Sequence, residues 1–537
     1  MNAAKHTDFV SRLPLWLALG FLAAFVLLPL LQLAAQTCWH DGAFTLAAWG
    51  ALADDANVLA QIGSTLQLGL AATAVSLLLG GGHAWLCVAR DLPGAGWLGP
   101  LGVAPLVVPP IFVAMGFADV FPVAGFWPAA ILLGVAHAPF VAVLAARGLR
   151  GVDGRAYEAV LVLRGRGAAE RWLLRATAPE LLAGCLLAFL FTIADHGVPE
   201  FLTVKGKTWH TYAEGIFARW TRRAVGTTFE ELQSPIVAAL PFVACLGCLL
   251  WAALRLRAQA PDRGVVRPLP VRPLGGWRWP ALAVPALYLG AGVVLPVVVL
   301  ARWAMGSAQR LEPMGLDFAR ESFAKAVDQG LPDLMHSLWL AIAVAGVVVL
   351  LALPLARQSA RRWPALDLLA ALPAAVPAIL LGIALIRSFH DAPVLRQFGD
   401  RFDQSWAFAG CAYAARFLPF AALTLASQVR RQSLAAEEAG RLVARAPFVR
   451  ALRLHVVPLL PAAWSAWVLA FVLALRELDL AVVLPAANAT AVRRLANAVH
   501  FQHEDWSGVI ALLLLALAVL VPLVPAVLAG RRLSSLS

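Results

Sequence analysis

The chain has 537 residues and a formal net charge of +12, and its composition excludes an ordinary soluble protein. Apolar residues make up 61% of it and charged residues 14%, whereas a soluble chain has roughly 25% charged residues. Because a single apolar core stops growing near ~250–300 residues, much of this apolar surface has to face lipid. The positive charge lies between the apolar stretches, which favours membrane topology over nucleic-acid binding. Composition therefore predicts an all-α polytopic membrane protein.

Twelve apolar stretches are long enough to cross a bilayer core as helices, which takes about 20 residues each. In chain order the predicted spans are 13–36, 62–88, 98–118, 128–147, 181–199, 234–255, 279–303, 337–356, 366–387, 405–427, 459–484 and 507–529.

The distribution of Lys and Arg orients these spans. With the N-terminus in the cytoplasm, the inner segments hold about twice as many Lys and Arg residues as the outer loops. The outer loops 38–61 and 119–127 hold none. An even number of spans then predicts that both termini are cytoplasmic.

The two halves of the chain repeat one pattern. The segment Phe189–Asp195 aligns with Phe471–Glu477, and both segments end on an acid. Paired prolines recur at equivalent places, at Pro105, Pro109, Pro373 and Pro377. Because each half has six spans, both halves run through the membrane in the same direction. The prediction is two parallel six-helix repeats, 1–255 and 279–537, joined by a cytoplasmic linker at 256–278.

The longest polar cytoplasmic segment of each half lies between its fourth and fifth spans, at 148–180 and 428–457. Each begins basic, carries a Glu-Ala pair and closes on a proline, at Pro179 and Pro458. A solvated positive-inside loop would explain the arginines but not the recurrence of the other features. We therefore predict that both segments dock on a cytoplasmic partner.

This pattern resembles the membrane permeases of type I binding-protein-dependent ABC importers, whose signature is a cytoplasmic Glu-Ala-Ala loop with a glycine a few residues later. The resemblance covers nearly the whole chain, twice. It departs from the signature at Val160 and Gly440, which replace the second alanine, and at the later closing prolines. The ATPase-coupling residues that the resemblance implies are Glu158, Ala159, Gly165, Gly167, Glu438, Ala439, Gly440 and Ala444.

The resemblance also implies the partners. Two cytoplasmic ABC ATPase subunits would bind ATP and Mg²⁺, and a periplasmic or extracellular binding protein would deliver the solute to a permease in the bacterial plasma (inner) membrane. The chain itself is expected to be neither an enzyme nor a cofactor protein. Gly206-Lys207-Thr208 ends like a P-loop, but the required upstream glycine is replaced by Phe201.

Charged residues within or at the ends of apolar spans are candidates for the translocation pathway, because an ionised side chain is costly there, and we select four of them. They are Asp195, Arg476, Glu477 and Asp479. They could line the translocation pathway, or they could form structural pairs near the outer interface. His500 and His503 could similarly bind a metal or simply be polar loop residues; no metal site is predicted.

The cargo is left open among three classes. Fused twelve-span permeases of this family include importers of ferric iron, thiamine and aminoalkylphosphonates. The segments 194–202 and 475–481 resemble the iron(III) group most, which makes ferric iron the first expectation. An alternative of a different class is a secondary active transporter with two parallel six-helix repeats, which would need no ATPase.

Overall fold

The computed structural model describes residues 13–40, 43–202, 209–223, 230–258, 267–306, 315–391, 402, 405–432, 435, 438, 457–485, 489–501 and 506–534. Several predicted features lie outside these residues: the P-loop-like stretch 206–208, His503, and the coupling residues Ala439, Gly440 and Ala444.

The described elements are helices, apart from one short antiparallel hairpin, Trp39–His40 with Ala43–Phe44. We number the helices in chain order: α1 Leu13–Gln36, α2 Ala47–Asp54, α3 Ala56–Ala89, α4 Ala95–Val107, α5 Pro110–Val120, α6 Phe126–Arg150, α7 Gly154–Ala194, α8 Gly197–Phe201, α9 Tyr212–Arg223, α10 Glu230–Ala258, α11 Gly275–Met305, α12 Leu316–Arg361, α13 Ala365–Ala375, α14 Ala378–Asp391, α15 Trp406–Arg431, α16 Val457–Leu475, α17 Asp479–Val483, α18 Ala491–Phe501 and α19 Ser507–Ser534.

The chain is an all-α multi-pass membrane protein. Among the described residues, eight helices are long and apolar enough to cross a bilayer, and ten spans result if each of two bent pairs counts as one. Two shorter apolar helices lie at Ile236–Ala252 and Ser507–Leu523. The predicted all-α class is therefore confirmed, while the twelve-span layout stays a prediction.

Two of the predicted spans are broken by proline. The helices α4 and α5 meet at 92°, and α13 and α14 meet at 97°. Proline has no N–H and pushes the preceding residue out of the helical region, and Val108 before Pro109 is indeed extended, with ψ of 120°. Val376 before Pro377 is extended in the same way, with ψ of 125°. The paired prolines therefore turn each of these segments by about a right angle.

The described chain forms two compact units that are discontinuous in sequence. One comprises Leu46–Pro332 and Ala491–Ala516, and the other comprises Met1–Thr45, Asp333–Thr490 and Leu517–Ser537. The first helix of each predicted half thus belongs to the unit built mainly from the opposite half. The boundaries of the two sequence repeats stay a prediction.

In the unit that contains residues 333–490, α1 packs on α14. The rings of Phe25 and Phe389 stack with centroids 5.3 Å apart, and Phe402 meets both rings edge-on or tilted. In a membrane the hydrophobic effect does not drive helices together, so association depends on close packing. The stacked rings therefore hold α1 against α14.

In the unit that contains residues 46–332, α11 packs on the bent α4–α5 pair. The buried Tyr288 hydroxyl donates to the Gly102 carbonyl at 2.7 Å. Near the end of α11, Arg302 and the indole N–H of Trp303 both bond Asp119 on α5. Because both contacts involve polar groups that would be expensive to expose to lipid, they fix the register of α11.

Candidate functional site

The predicted first coupling segment is a helix with one sharp break. In α7, Gly165 has φ of 76° and ψ of 174°, which separates helical residues 154–164 from 166–194. This backbone region is accessible essentially only to glycine. Gly167 does not have a positive φ. A methyl group on either glycine would have no neighbouring side chain within 4 Å, so space alone does not require glycine at either position. Of the two predicted glycines, Gly165 therefore forms the turn.

The break presents an apolar tip. Val162 and Leu163 are 84% and 81% exposed, directly before the break. Arg164 and Arg166 flank the turn and are also exposed. A charged segment of this kind does not lie in hydrocarbon, so lipid does not account for the exposed apolar side chains.

The tip stands on a buried apolar base. Tyr157, on the first piece of α7, is 1% exposed. It packs in a cluster with Ala89, Leu149, Val152, Ala169, Leu173 and Leu269. Val160 and Leu161 pack partly against the same cluster. The first piece of α7 is therefore held on one side and exposes its other side.

Glu158 and Ala159, the predicted head of the coupling motif, lie at the edge of this base. The Glu158 carboxylate is 39% exposed and accepts a hydrogen bond from Arg267 of the linker at 3.1 Å. Ala159 is exposed. The motif glutamate of the first half is thus already paired with an arginine of the same chain.

In the second predicted coupling segment, Glu438 is helical and exposed. Its neighbours Ala439, Gly440 and Ala444 lie outside the described residues. Of the four coupling residues predicted in the second segment, Glu438 is therefore the one that the structure describes.

A buried charge cluster lies where α16 ends. Arg416 on α15 donates its Nε–H to Glu477 Oε2 at 3.2 Å, and its Nη2 lies 3.9 Å from Asp479 Oδ2. The other oxygen of Glu477 accepts the Leu480 N–H at 3.0 Å. Glu477 therefore joins α15, the end of α16 and the start of α17. Arg476 is also buried, 7% exposed.

Asp195 has the corresponding position at the end of α7. Its Oδ1 accepts the N–H of Val198 at 2.9 Å, which is the start of α8. Glu477 bonds the N–H three residues ahead in the same way. Each acid thus satisfies an otherwise unpaired N–H at the start of a short helix. These hydrogen bonds give both acids a structural role at a helix start. Their contact with cargo stays a prediction.

A buried polar contact also joins the neighbouring long helices in the first half. His137 Nδ1 on α6 lies 3.0 Å from Thr192 Oγ1 on α7, and both residues are about 1% exposed. In the second half the Arg416–Glu477 pair joins α15 to the end of α16. In both halves a buried hydrogen bond therefore fixes the fourth predicted span against the fifth.

Within the described part of the chain, no three His, Cys, Asp or Glu side chains group as metal ligands. The side chain of His500 falls outside that part, as does His503.

Sequence reasoning did not select Arg416, Arg267 or Arg272 as functional residues. A lone arginine inside the apolar stretch 405–427 was the available signal for Arg416, because such a charge needs a buried partner. For the two linker arginines no local signal existed, since basic residues are common in any cytoplasmic linker.

No protein-family model matches the chain, and no curated protein matches it either. Functional assignment therefore depends on the residues and their geometry.

Proposed function

We propose that this chain is the permease subunit of an ATP-driven importer of the ABC class, and that it forms the translocation pathway for a small solute delivered by a soluble binding protein. In this proposal twelve spans form two parallel six-helix repeats in a bacterial plasma membrane, with both termini in the cytoplasm. ATP and Mg²⁺ bind to two separate ATPase subunits. The observation that carries the proposal is the exposed Val162–Leu163 tip, which stands on a buried base inside the predicted coupling segment.

The recurrence of structural devices in the two halves supports it. A proline-bent helix pair occurs in each half, at 92° and 97°. Asp195 and Glu477 each close a long helix and bond the N–H three residues ahead. A repeated unit is what a pathway between two equivalent halves requires.

The coupling segment suggests how the chain would respond to ATP. Closure of two ATPase subunits would move the tip at Gly165, and the continuous helix from 166 to 194 would carry that motion into the membrane. The two halves would then rock and expose the pathway alternately to either side. Transfer of this kind needs a stiff element between docking surface and span, which the buried base of Tyr157 supplies.

Ferric iron is the cargo that we propose first, on the acidic stretches 194–202 and 475–481. Thiamine and aminoalkylphosphonates remain the alternatives within the same role. In these stretches Asp195 and Glu477 already bond backbone N–H groups, and Glu477 also bonds Arg416, so the iron assignment depends on sequence resemblance.

Uptake into proteoliposomes tests the proposal. The chain would be reconstituted with its ATPase, and binding protein would be added with ferric iron, thiamine or 2-aminoethylphosphonate. Uptake of one cargo that requires ATP on the ATPase side is the expected result. Uptake driven by an ion gradient without ATP would contradict it and favour a secondary transporter. ATP-dependent uptake of thiamine or the phosphonate would support the permease role and contradict ferric iron as the cargo.

A further inference from the structure

The described end of the linker, residues 267–274, lies against the first coupling segment. The Gly154 N–H donates to the Arg267 carbonyl at 2.9 Å, at the start of α7. The approach is close, because a Cβ on Gly154 would lie 2.4 Å from the Pro268 carbonyl oxygen. Only glycine therefore admits the linker at this point.

The same linker segment also bonds the chain just after α3. The Arg272 N–H donates to the Ala89 carbonyl at 3.2 Å, and the Asp91 N–H donates to the Arg272 carbonyl at 3.2 Å. The Leu274 N–H donates to Asp91 Oδ1. The linker thus adds a short parallel strand contact at the end of α3.

The side chain of Arg272 connects these places. It is 9% exposed, and its Nε–H donates to the Ala89 carbonyl at 3.2 Å. Its Nη1 bonds the Tyr157 hydroxyl at 3.2 Å on the first piece of α7, and it bonds the Glu170 carboxylate on the second piece. One guanidinium therefore holds the end of α3 and both sides of the Gly165 break.

Aromatic rings and a second arginine complete the site. The guanidinium carbon of Arg272 lies 5.1 Å from the Trp85 ring centroid and 5.2 Å from that of Tyr157. Arg90 shares the Glu170 carboxylate, with Nη2 at 3.4 Å. Burial lowers the pKa of Arg90, and the like charge of Arg272 lowers it further. Two arginines thus face one carboxylate, and that carboxylate belongs to the coupling segment.

We propose that Arg272 is a positioning residue for energy coupling: the linker fixes the first coupling segment to the cytoplasmic end of α3, so that movement of the Val162–Leu163 tip is transmitted to the membrane helices. A flexible tether between the two halves would need no such contacts. Arginine suits the role because its planar fork bonds several acceptors in fixed directions, which lysine cannot do.

The test has a transport arm, which measures uptake per ATP, and an exchange arm, which measures amide hydrogen exchange. Only the transport arm depends on the function proposed above. In the reconstituted complex, Arg272→Gln is expected to retain ATPase binding and ATP hydrolysis while uptake per ATP falls about two- to thirtyfold. In the isolated full-length chain, hydrogen exchange at the amides of Gly154 and Asp91 is expected to lose protection, because both donate to linker carbonyls.

Three variants sharpen the result. Arg278→Gln removes the same charge from an exposed linker arginine, which stacks on Trp279, and should resemble the unmodified chain in both arms. Arg272→Lys should give intermediate values. If Arg272→Gln does not fold, Tyr157→Phe removes one acceptor and keeps the ring, and should show a smaller loss in the same direction.

Unchanged exchange at both amides in Arg272→Gln would overturn the anchoring role. Faster exchange with unchanged uptake per ATP would overturn the coupling role while leaving the anchor. If the unmodified chain bound no ATPase, the proposed function would fail, and the exchange arm would still decide whether Arg272 anchors the linker.

Discussion

Arg416 and Glu477 form a buried ion pair, with side chains 8% and 6% exposed and Nε 3.2 Å from Oε2. Neither charge has ready access to water. Glu477 is the nearer carboxylate to Arg416, and Asp479 Oδ2 lies 3.9 Å from the same guanidinium. Removing one partner of such a pair leaves an uncompensated buried charge, which typically costs about 3–5 kcal/mol.

Glu477→Ala is therefore expected to destabilise the chain by about 3–5 kcal/mol, seen as a lower unfolding temperature in detergent. The double variant Arg416→Met with Glu477→Gln should recover part of that loss, because no unpaired arginine remains. If Glu477→Gln alone abolished uptake while unfolding stayed unchanged, a direct role in the pathway would replace the structural one.

Asp195 offers a milder test of the same question. Asp195→Ala removes the acceptor of the Val198 N–H and should cost about 0.5–2 kcal/mol, in the range of helix caps. Asp195→Asn retains an acceptor oxygen and should cost less. Thermal unfolding and uptake are measured together, and a loss of uptake in the Asn variant without a loss of stability would assign Asp195 to the pathway.

The two glycines of the first coupling segment should respond oppositely to alanine. Gly165→Ala forces an L-residue to φ of 76° and should cost about 1–3 kcal/mol, with weaker ATPase binding. Gly167→Ala is the matched control, because alanine favours a helix over glycine by about 0.8–1 kcal/mol. Equal unfolding temperatures for the two variants would contradict the assignment of the turn to Gly165.

The exposed tip should matter for binding and not for folding. Leu163→Ser is expected to weaken ATPase binding about 10- to 100-fold if the side chain is a central contact, with little change in unfolding temperature. Leu161→Ser, two residues earlier and packed against the buried base, should lower stability. Co-purification and titration with the ATPase provide the readout, and undiminished binding by Leu163→Ser would remove the tip from the interface.

The two motif glutamates should be unequal. Glu438 is exposed, whereas Glu158 is bonded to Arg267. Glu438→Arg should weaken ATPase co-purification more than it affects folding. Asp317→Arg, a charge reversal at an exposed residue predicted on the outer side, is the control. Unchanged co-purification of the Glu438 variant would contradict a role for Glu438 in ATPase binding.

Local pattern was enough to predict the helical class, since long apolar runs act through neighbouring residues. The right-angle breaks within the predicted spans 98–118 and 366–387 were not predicted, although their prolines marked the repeat. Pro109 and Pro377 mark where the chain turns, although the angle is set by packing. Gly165 and Gly167 could not be distinguished in sequence, because a positive φ is visible only in the folded backbone.

Contacts between distant residues were beyond sequence reasoning. Arg416 and Glu477 are 61 positions apart, and no periodicity relates them. The docking of Arg272 on Tyr157 and Glu170 was missed for the same reason, because a basic linker looks alike whether it is bound or free. The placement of α1 and α11 was also unpredictable, since an apolar helix carries little information about which neighbour it joins.

The helix α1 belongs to the unit that contains residues 333–490, and α11 belongs to the unit that contains residues 46–332. This arrangement constrains the order in which the units can form during synthesis. When the ribosome has released residues through 306, α1 is in the membrane but α14, its partner in the same unit, has not been made. The unit built on Leu46–Pro332 in turn waits for Ala491–Ala516. Neither unit is complete until residues beyond 490 have been made, so a product truncated near the linker would lack part of both units. Assembly is therefore a late, whole-chain event.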